Sequence, residues 1–334
     1  MNAAVYHEYG TDVLQLEEVP VPVPGDDEVL LKVKAVAIND WDWQMLQGIP
    51  FVNRMINGLK KPKKTILGLD VAGRIEAVGR KVTHFQPGDA VYGDISEFWG
   101  GFAEYVCVKA TGLVAKPDCI TFVEAAATPH AATLAVQGLI DVGRIGKGQK
   151  VLINGAGGGV GTFGVQIAKL FDTEVTGVDN AGKLDLMRSA GFDRVIDYRR
   201  QDFTATGKKY DLILDTKTNR PLSAYLRSLT PDGVYVTVGG NTGRILGQVL
   251  VGGSLYSLFN RKKLRLVVLQ PNKSLQYVND LFKSGKIKPV IDGPYPFPEL
   301  PAQLQRFGRG EHQGKIVIEV GKRNQLLQLE SVRI

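Results

Sequence analysis

The sequence predicts an α/β protein in two parts, a β-rich N-terminal part and a doubly wound parallel sheet of the Rossmann type. Three observations carry that prediction. Residues 151–161 read Val-Leu-Ile-Asn-Gly-Ala-Gly-Gly-Gly-Val-Gly, an apolar strand running into a glycine turn. Val160, Phe163, Gly164, Ile167, Ala168 and Phe171 then recur at helical spacing. From there the chain alternates helical runs with strand-like ones at 151–154, 174–179, 194–197, 211–215, 234–238 and 264–269, the order of a parallel sheet with crossover helices.

Before residue 125 the text is different. Strand-like runs at 29–36, 73–78, 90–92 and 105–108 are separated by turns, and prolines 20, 22 and 24 punctuate the stretch ahead of the first of them. A mostly β, barrel-like domain is expected there. After Pro271 the pattern predicts a helix near 274–284 and a final strand at 315–320. No internal repeat or low-complexity segment interrupts the chain.

Composition narrows the class. With 334 residues, 44% hydrophobic and 22% charged, the chain is too long for one small core and has the balance of a soluble globular protein of two domains. The net charge of +7 is spread in short clusters such as Lys60-Lys61, Lys63-Lys64 and Arg261-Lys262-Lys263, which read as solvated surface able to attract anionic cofactors. No RNA-binding motif or aromatic-basic stripe accompanies them. Cys107 and Cys119 are the only cysteines, too few for a disulfide framework or a cysteine-rich zinc site, and they fit a reducing compartment. Residues 3–6 already read as a strand without a leader before them, and the apolar stretch 249–259 is far short of the ~20 residues a membrane span needs. A soluble, cytoplasmic protein without integral membrane contact is the expectation.

The glycine turn carries the first functional signal. Ala156-x-Gly158-x-x-Gly161 is a dinucleotide fingerprint with alanine at its first position, so Ala156, Gly157, Gly158, Gly159, Val160 and Gly161 are candidate pyrophosphate-facing residues. The other reading is a tight strand-to-helix connection without a ligand. Context favours the ligand: a second strand ends in Asp179, 18 residues beyond Gly161, near the ~20-residue offset of an acid that binds the adenosine ribose.

Gly68-Leu69-Asp70-Val71-Ala72-Gly73, followed by Val78-Gly79, Val82, Phe85, Pro87-Gly88-Asp89 and Val91, resembles the quinone oxidoreductase signature of the medium-chain dehydrogenase/reductase superfamily. Residues 100–106, the glycine turn, Val195-Ile196-Asp197-Tyr198 and 285–292 resemble the same zinc-independent branch, so that the likeness spans nearly the whole chain. Residues 261–268 are similar to its mitochondrial and chloroplast-envelope members. The resemblance implies a chaperonin-10-like catalytic domain over 1–124, a Rossmann domain over 125–270, a return to the catalytic domain over 271–334, and an active site in the cleft between them.

It also implies roles. Asn39, in Asn39-Asp40-Trp41-Asp42-Trp43, matches the asparagine that faces the nicotinamide and the substrate oxygen, against the alternative of a turn cap. Trp43 either walls the ring site or simply packs. Thr128 and His130 precede the helix under the nicotinamide, where His130 replaces an apolar residue and is either a proton donor or a structural histidine. Thr133-Leu134 stands where relatives read leucine-threonine, which displaces the carboxamide contact by one position. Val238, Gly239 and Gly240 match the segment that approaches the nicotinamide, against a plain turn after a strand. The family's acceptor pockets use variable loops, here 46–64 and the stretch after Gly240.

Zinc and cofactor are the remaining questions. The positions of the zinc branch's first cysteine and its histidine-glutamate pair fall at Ile38-Asn39-Asp40 and Leu69-Asp70, and the structural-zinc cysteines are absent, so a zinc-free site is expected. Asp40 and Asp42 read as exposed loop carboxylates. Conjugated acceptors are then favoured, a quinone or an α,β-unsaturated carbonyl reduced by NAD(P)H. Asp179 favours NAD(H); Lys183 and Tyr198 match positions that bind the 2′-phosphate of NADP(H), unless Lys183 is an ordinary helix-surface lysine. The balance leans to NADP(H), with NAD(H) open. The alternatives are a non-enzymatic nucleotide-binding protein, crystallin-like, RNA-contacting or regulatory, and a zinc-free alcohol dehydrogenase-like enzyme. An edge strand at 264–269 would pair with its symmetry mate in a homodimer.

Overall fold

The computed structural model describes residues 1–240, 242–245, 247 and 261–321. The apolar stretch 249–259 and the tail 322–334 lie outside the described residues. Two compact units divide the chain: one holds residues 1–116, 293–308 and the chain from Val317 on, the other 117–292 and 309–316.

The first unit is antiparallel. Strands β1 (Asn2–Val5) and β2 (Gln15–Glu18) form a small ribbon. A larger sheet is centred on β3 (Glu28–Ala37), which pairs with β4 (Asp70–Val78) and β6 (Tyr105–Lys109); β4 pairs with β5 (Ala90–Asp94), and β5 with the two-residue β7 (Val114–Ala115). The β3–β4 register shifts twice, between Leu30 and Leu31 and between Val33 and Ala35, irregularities of the kind that bend a strand and increase its twist. Gly73 sits at the second shift, where a Cβ would come within 2.2 Å of the Lys32 carbonyl oxygen. Helix α1 (Asp40–Gln47) and the shorter α2 (Phe51–Asn57) fill the connection from β3 to β4.

The second unit contains a wholly parallel sheet of six strands: β8 (Lys150–Asn154), β9 (Glu174–Asp179), β10 (Arg194–Asp197), β11 (Tyr210–Asp215), β12 (Leu229–Thr237) and β13 (Lys263–Leu266). Their spatial order is β10-β9-β8-β11-β12-β13. The order reverses between β8 and β11, the switch point outside whose carboxyl ends such sheets bind ligands. The predicted strands are all present. β12 begins earlier than the alternation indicates, because Leu229 pairs with Tyr210 before a register break.

The second unit also takes in more chain than residues 125–270. Gln137 brackets the backbone of Gln270, its Nε2 donating to the Gln270 carbonyl at 2.9 Å and its Oε1 accepting from the Gln270 N–H at 3.1 Å. The helix Leu275–Lys283 then packs on α4 (Pro129–Val136) through its buried face of Leu275, Val278, Leu281 and Phe282. Further on, Gly314 N–H donates to the Gly157 carbonyl at 2.8 Å, so residues 309–316 lie on the glycine turn. The strand β14 (Ile291–Pro296) and the final strand β15 (Lys315–Glu319) are where the chain passes from one unit to the other.

Candidate dinucleotide site

The glycine turn begins where β8 ends. Gly155 takes φ +85°, a left-handed conformation that favours glycine, and the N–H groups of Gly155 and Ala156 both donate to the Val178 carbonyl at the end of β9. Helix α5 (Gly159–Lys169) starts directly after it with Gly158 as its cap. A Cβ on Gly161 would come within 2.4 Å of the Ala156 carbonyl oxygen, so glycine is required for the helix to close onto the strand. The first amides of α5 have no partner within the helix and form the positive end of its dipole, an arrangement suited to pyrophosphate.

Asp179 is tied to this turn. Its Oδ2 accepts from the Gly157 N–H at 2.9 Å and its Oδ1 from the Asn180 N–H at 2.9 Å, and the residue is buried. Both oxygens therefore already bond to backbone. Lys183 is buried as well, which rules out the surface-lysine reading: its stem lies across Gly157, where an added Cβ would be 2.6 Å from Cδ, and its Nζ is 3.9 Å from Asp179 Oδ1. Tyr198 is partly exposed and donates its N–H to the Asp179 carbonyl at 3.1 Å. Asp179, Lys183 and Tyr198 thus share the carboxyl ends of β9 and β10.

At the other strand ends Asp215 organises the backbone. It accepts from Asn154 Nδ2 and the Tyr235 hydroxyl, each at 2.8 Å, and from the N–H groups of Lys217 and Thr218. Val238 N–H donates to the Asp215 carbonyl. Gly240 has φ +109° and a Cβ there would be 2.1 Å from the Lys217 carbonyl oxygen; a Cβ on Gly239 would meet nothing nearer than the Thr216 carbonyl oxygen at 4.0 Å. Thr128 is fully buried and its hydroxyl donates to the Glu124 carbonyl at 2.7 Å. His130 is half-buried in the first turn of α4, and Thr133 is fully buried with a hydroxyl that makes no hydrogen bond.

In the first unit Asn39 caps α1. Its N–H donates to Asp42 Oδ2 at 2.8 Å, and its side-chain Nδ2 donates to Asp70 Oδ2 at 3.0 Å and to the Ala37 carbonyl at 3.3 Å. Asp42 is not the exposed loop carboxylate expected: it is fully buried, because its Oδ1 also accepts the Gly68 N–H at 3.0 Å and so joins the helix start to the signature segment at 68–73. Asp40 is exposed. Trp43 is half-buried against the backbone of Gly308, where an added Cβ would fall within 2.2 Å of the indole.

Residues 25–118 match the family described as alcohol dehydrogenase GroES-like domain, and residues 190–318 the family described as zinc-binding dehydrogenase. A chloroplastic quinone-oxidoreductase homolog of Spinacia oleracea is 35% identical over 96% of this chain and 98% of its own. The chain belongs to the quinone oxidoreductase branch of the medium-chain dehydrogenase/reductase superfamily. An NADPH-dependent alkenal/one oxidoreductase, chloroplastic, of Arabidopsis thaliana is 32% identical over 95% of this chain and 79% of that protein. The solved quinone oxidoreductase from Coxiella burnetii superposes with a TM-score of 0.84 at 25% identity, covering 96% of this chain and 99% of that one.

Asn39 and Asp70, which the resemblance sets against ligand positions of the zinc-dependent branch, bond to each other. An amide is not among the usual zinc ligands, and the one carboxylate beside it falls short of the three protein ligands a catalytic zinc takes. Among the described residues no cluster of three or more His, Cys, Asp or Glu side chains could hold a metal.

Three residues that the sequence reading did not single out stand at the glycine turn. Lys315 is buried with its stem over Gly159, where an added Cβ would be 2.5 Å from Cδ. His312 is buried beside Gly158, and burial, reinforced by Lys183, Lys217 and Lys315 against an opposing Asp292, pushes its imidazole down to about 2, so it is neutral. Lys217 is exposed at the end of the β11 turn. Three hydrogen bonds hold residues 313–315 in place: Gln313 Nε2 donates to the Gly182 carbonyl at 3.1 Å, Gln313 N–H to Asp292 Oδ2 at 2.8 Å, and Lys315 N–H to the Val290 carbonyl at 2.9 Å. The only sequence trace was a short polar run between Gly310 and Gly314, far along the chain from the glycine turn.

Proposed function

We propose that the protein is an NADPH-dependent reductase of quinones or α,β-unsaturated carbonyls. The observation that carries the reading is the cationic cradle at the glycine turn, in which buried Lys183 and Lys315 flank a neutral His312 while both Asp179 oxygens are turned to backbone N–H groups. Such a site attracts a multiply charged phosphate ligand and leaves the repulsion between Asp179 and a 2′-phosphate reduced. When bound, the reduced nicotinamide supplies a hydride. The amides opening α5 and the two lysines hold the phosphates, and Tyr198 borders the same edge. The acceptor class draws support from the spinach and Arabidopsis relatives, whose names specify quinone and alkenal/one chemistry. A conjugated acceptor spreads the charge it receives, so a fixed hydrogen-bond donor can serve where a metal would otherwise be needed. In this reading Asn39, held by Asp70, and Trp43 belong to the acceptor side, and Thr128, His130, Val238, Gly239 and Gly240 to the nicotinamide side.

We further infer a reducing compartment, the cytoplasm, from the free thiols of Cys107 and Cys119. A homodimer formed through the edge strand β13 belongs to the same reading. Among the described residues no helix is long and apolar enough to cross a membrane.

Steady-state oxidation of NADPH and NADH with a small benzoquinone and with a short enal tests the reading. Turnover with a kcat/KM preference for NADPH of roughly tenfold or more is expected, equivalent to at least one charge-assisted contact. Preference for NADH overturns the cofactor assignment, and no turnover with either acceptor class overturns the reductase assignment.

A further inference from the structure

Helix α2 is built inside out. Its buried face is polar: Asn53 and Asn57, one turn apart, point inward. Asn57 Nδ2 donates to the Tyr6 hydroxyl at 2.8 Å while its Oδ1 accepts the Lys64 N–H at 2.8 Å, and Asn53 Nδ2 donates to the Ile49 carbonyl at 3.0 Å. The Tyr9 hydroxyl donates to the Gly58 carbonyl at 2.6 Å, and the Arg54 guanidinium lies 4.7 Å from the Tyr9 ring centroid. Polar contacts therefore hold the helix in place, where an apolar stripe would ordinarily do so.

The apolar residues face outward. Phe51, Val52, Met55 and Ile56 fall on one face of the helix, Leu59 follows just beyond its end at Gly58, and all five are exposed, Met55 by 66% and Ile56 by 65%. With Ile49 they make six of the twelve large exposed hydrophobics among the described residues, gathered into eleven positions, which is a patch and not scatter.

Charge decides what covers it. Between Asp42 and Asp70 there is no acidic residue, whereas Arg54, Lys60, Lys61, Lys63 and Lys64 all fall there. Lys60, Lys61 and Lys63 are exposed immediately beyond Leu59. A second copy of this face would set like charges against like. An anionic bilayer matches both features, since acyl chains receive the apolar stripe and headgroup phosphates meet the lysines. We propose that residues 49–63 form a docking surface for an anionic phospholipid membrane, by which the protein lies on the bilayer without crossing it. The proposal does not depend on which cofactor is used; the stretch lies inside loop 46–64, which the family resemblance gives to the acceptor pocket, and the KM measurement below separates the two roles.

Co-sedimentation of the full chain with phosphatidylcholine vesicles, with and without phosphatidylglycerol, tests it. Binding only to the phosphatidylglycerol vesicles is expected, with release by raised salt. Lys60→Gln with Lys61→Gln should weaken binding roughly thirtyfold, and Met55→Ser with Ile56→Ser should abolish it. These side chains are exposed, so unchanged melting temperatures are expected. Val52→Trp provides a second reading, a blue-shifted emission on addition of the anionic vesicles. Failure to sediment with them, or equal binding by wild type and both double variants, overturns the proposal. So does a dimer that Met55→Ser with Ile56→Ser dissolves in the absence of vesicle binding, or a change in KM for a water-soluble quinone in variants of a protein that binds no vesicles.

Discussion

Asp42 in the first unit and Asp179 in the second use a carboxylate in the same way. Each accepts the N–H of a glycine distant in sequence, Gly68 or Gly157, and the N–H of an asparagine close by, Asn39 or Asn180. Each thereby holds a glycine-bearing loop to the end of a strand or the start of a helix. What surrounds them differs. Asp42 is fully buried at the junction of two signature segments, whereas Asp179 has Lys183 within ion-pair distance, with His312 and Lys315 beside the same glycine turn. The same device serves as an architectural knot in one unit and as the floor of a cationic cradle in the other.

The strongest way to sharpen the contrast is Asp42→Ala. It strands two buried N–H groups that now donate to an acidic side chain, and a loss of about 3 kcal/mol of unfolding free energy is expected from denaturant titration. A loss near zero would show that neither bond matters to the first unit. Next comes the cradle. Lys315→Gln should raise the KM for NADPH by roughly tenfold to a hundredfold, the worth of one charge-assisted contact, with kcat little changed. An unchanged KM would leave Lys315 a packing residue.

His312 gives a smaller effect that depends on pH. Its folded-state pKa is depressed below the ordinary 6.5 by burial and by Lys183, Lys217 and Lys315. As pH falls below 6.5 the unfolded chain takes up a proton that the folded protein refuses, so stability falls with pH. Between about pH 7 and pH 5.5 this amounts to about 1 kcal/mol, and His312→Gln should remove that part of the slope. A slope identical in the variant would mean that His312 is accessible to protons.

The smallest expected change separates the two aspartates by function. Asp179→Ser should loosen the glycine turn and raise the KM for NADPH and NADH together, their ratio moving by less than roughly threefold. A shift of roughly tenfold towards NADPH would instead give Asp179 the ribose-binding role its offset from Gly161 predicts.

Much of the fold was legible because it is local. The apolar run at 151–153, the glycines after it and the helical recurrence from Val160 to Phe171 each involve neighbours within a turn or two, and alternation located every strand of the parallel sheet. The site was legible only in part. Spacing and resemblance singled out Gly161 and Lys183, yet whether Lys183 lies on the surface or buried at the turn depended on Gly157, which lies under its stem. Asp42 was misread as exposed because nothing near it in sequence shows that the Gly68 N–H arrives to meet it.

By itself, the sequence determined the order of strands and helices, the glycine turn, and a segment rich in cations and free of acids between Asp42 and Asp70. Only the tertiary structure decided that His312 and Lys315 return to that turn, that both Asp179 oxygens face backbone, and that α2 shows its apolar face outward. The physical reason is the same for all three. Hydrophobic periodicity records which face of an element differs from the other, but burial and hydrogen bonding are settled by residues that approach from distant parts of the chain.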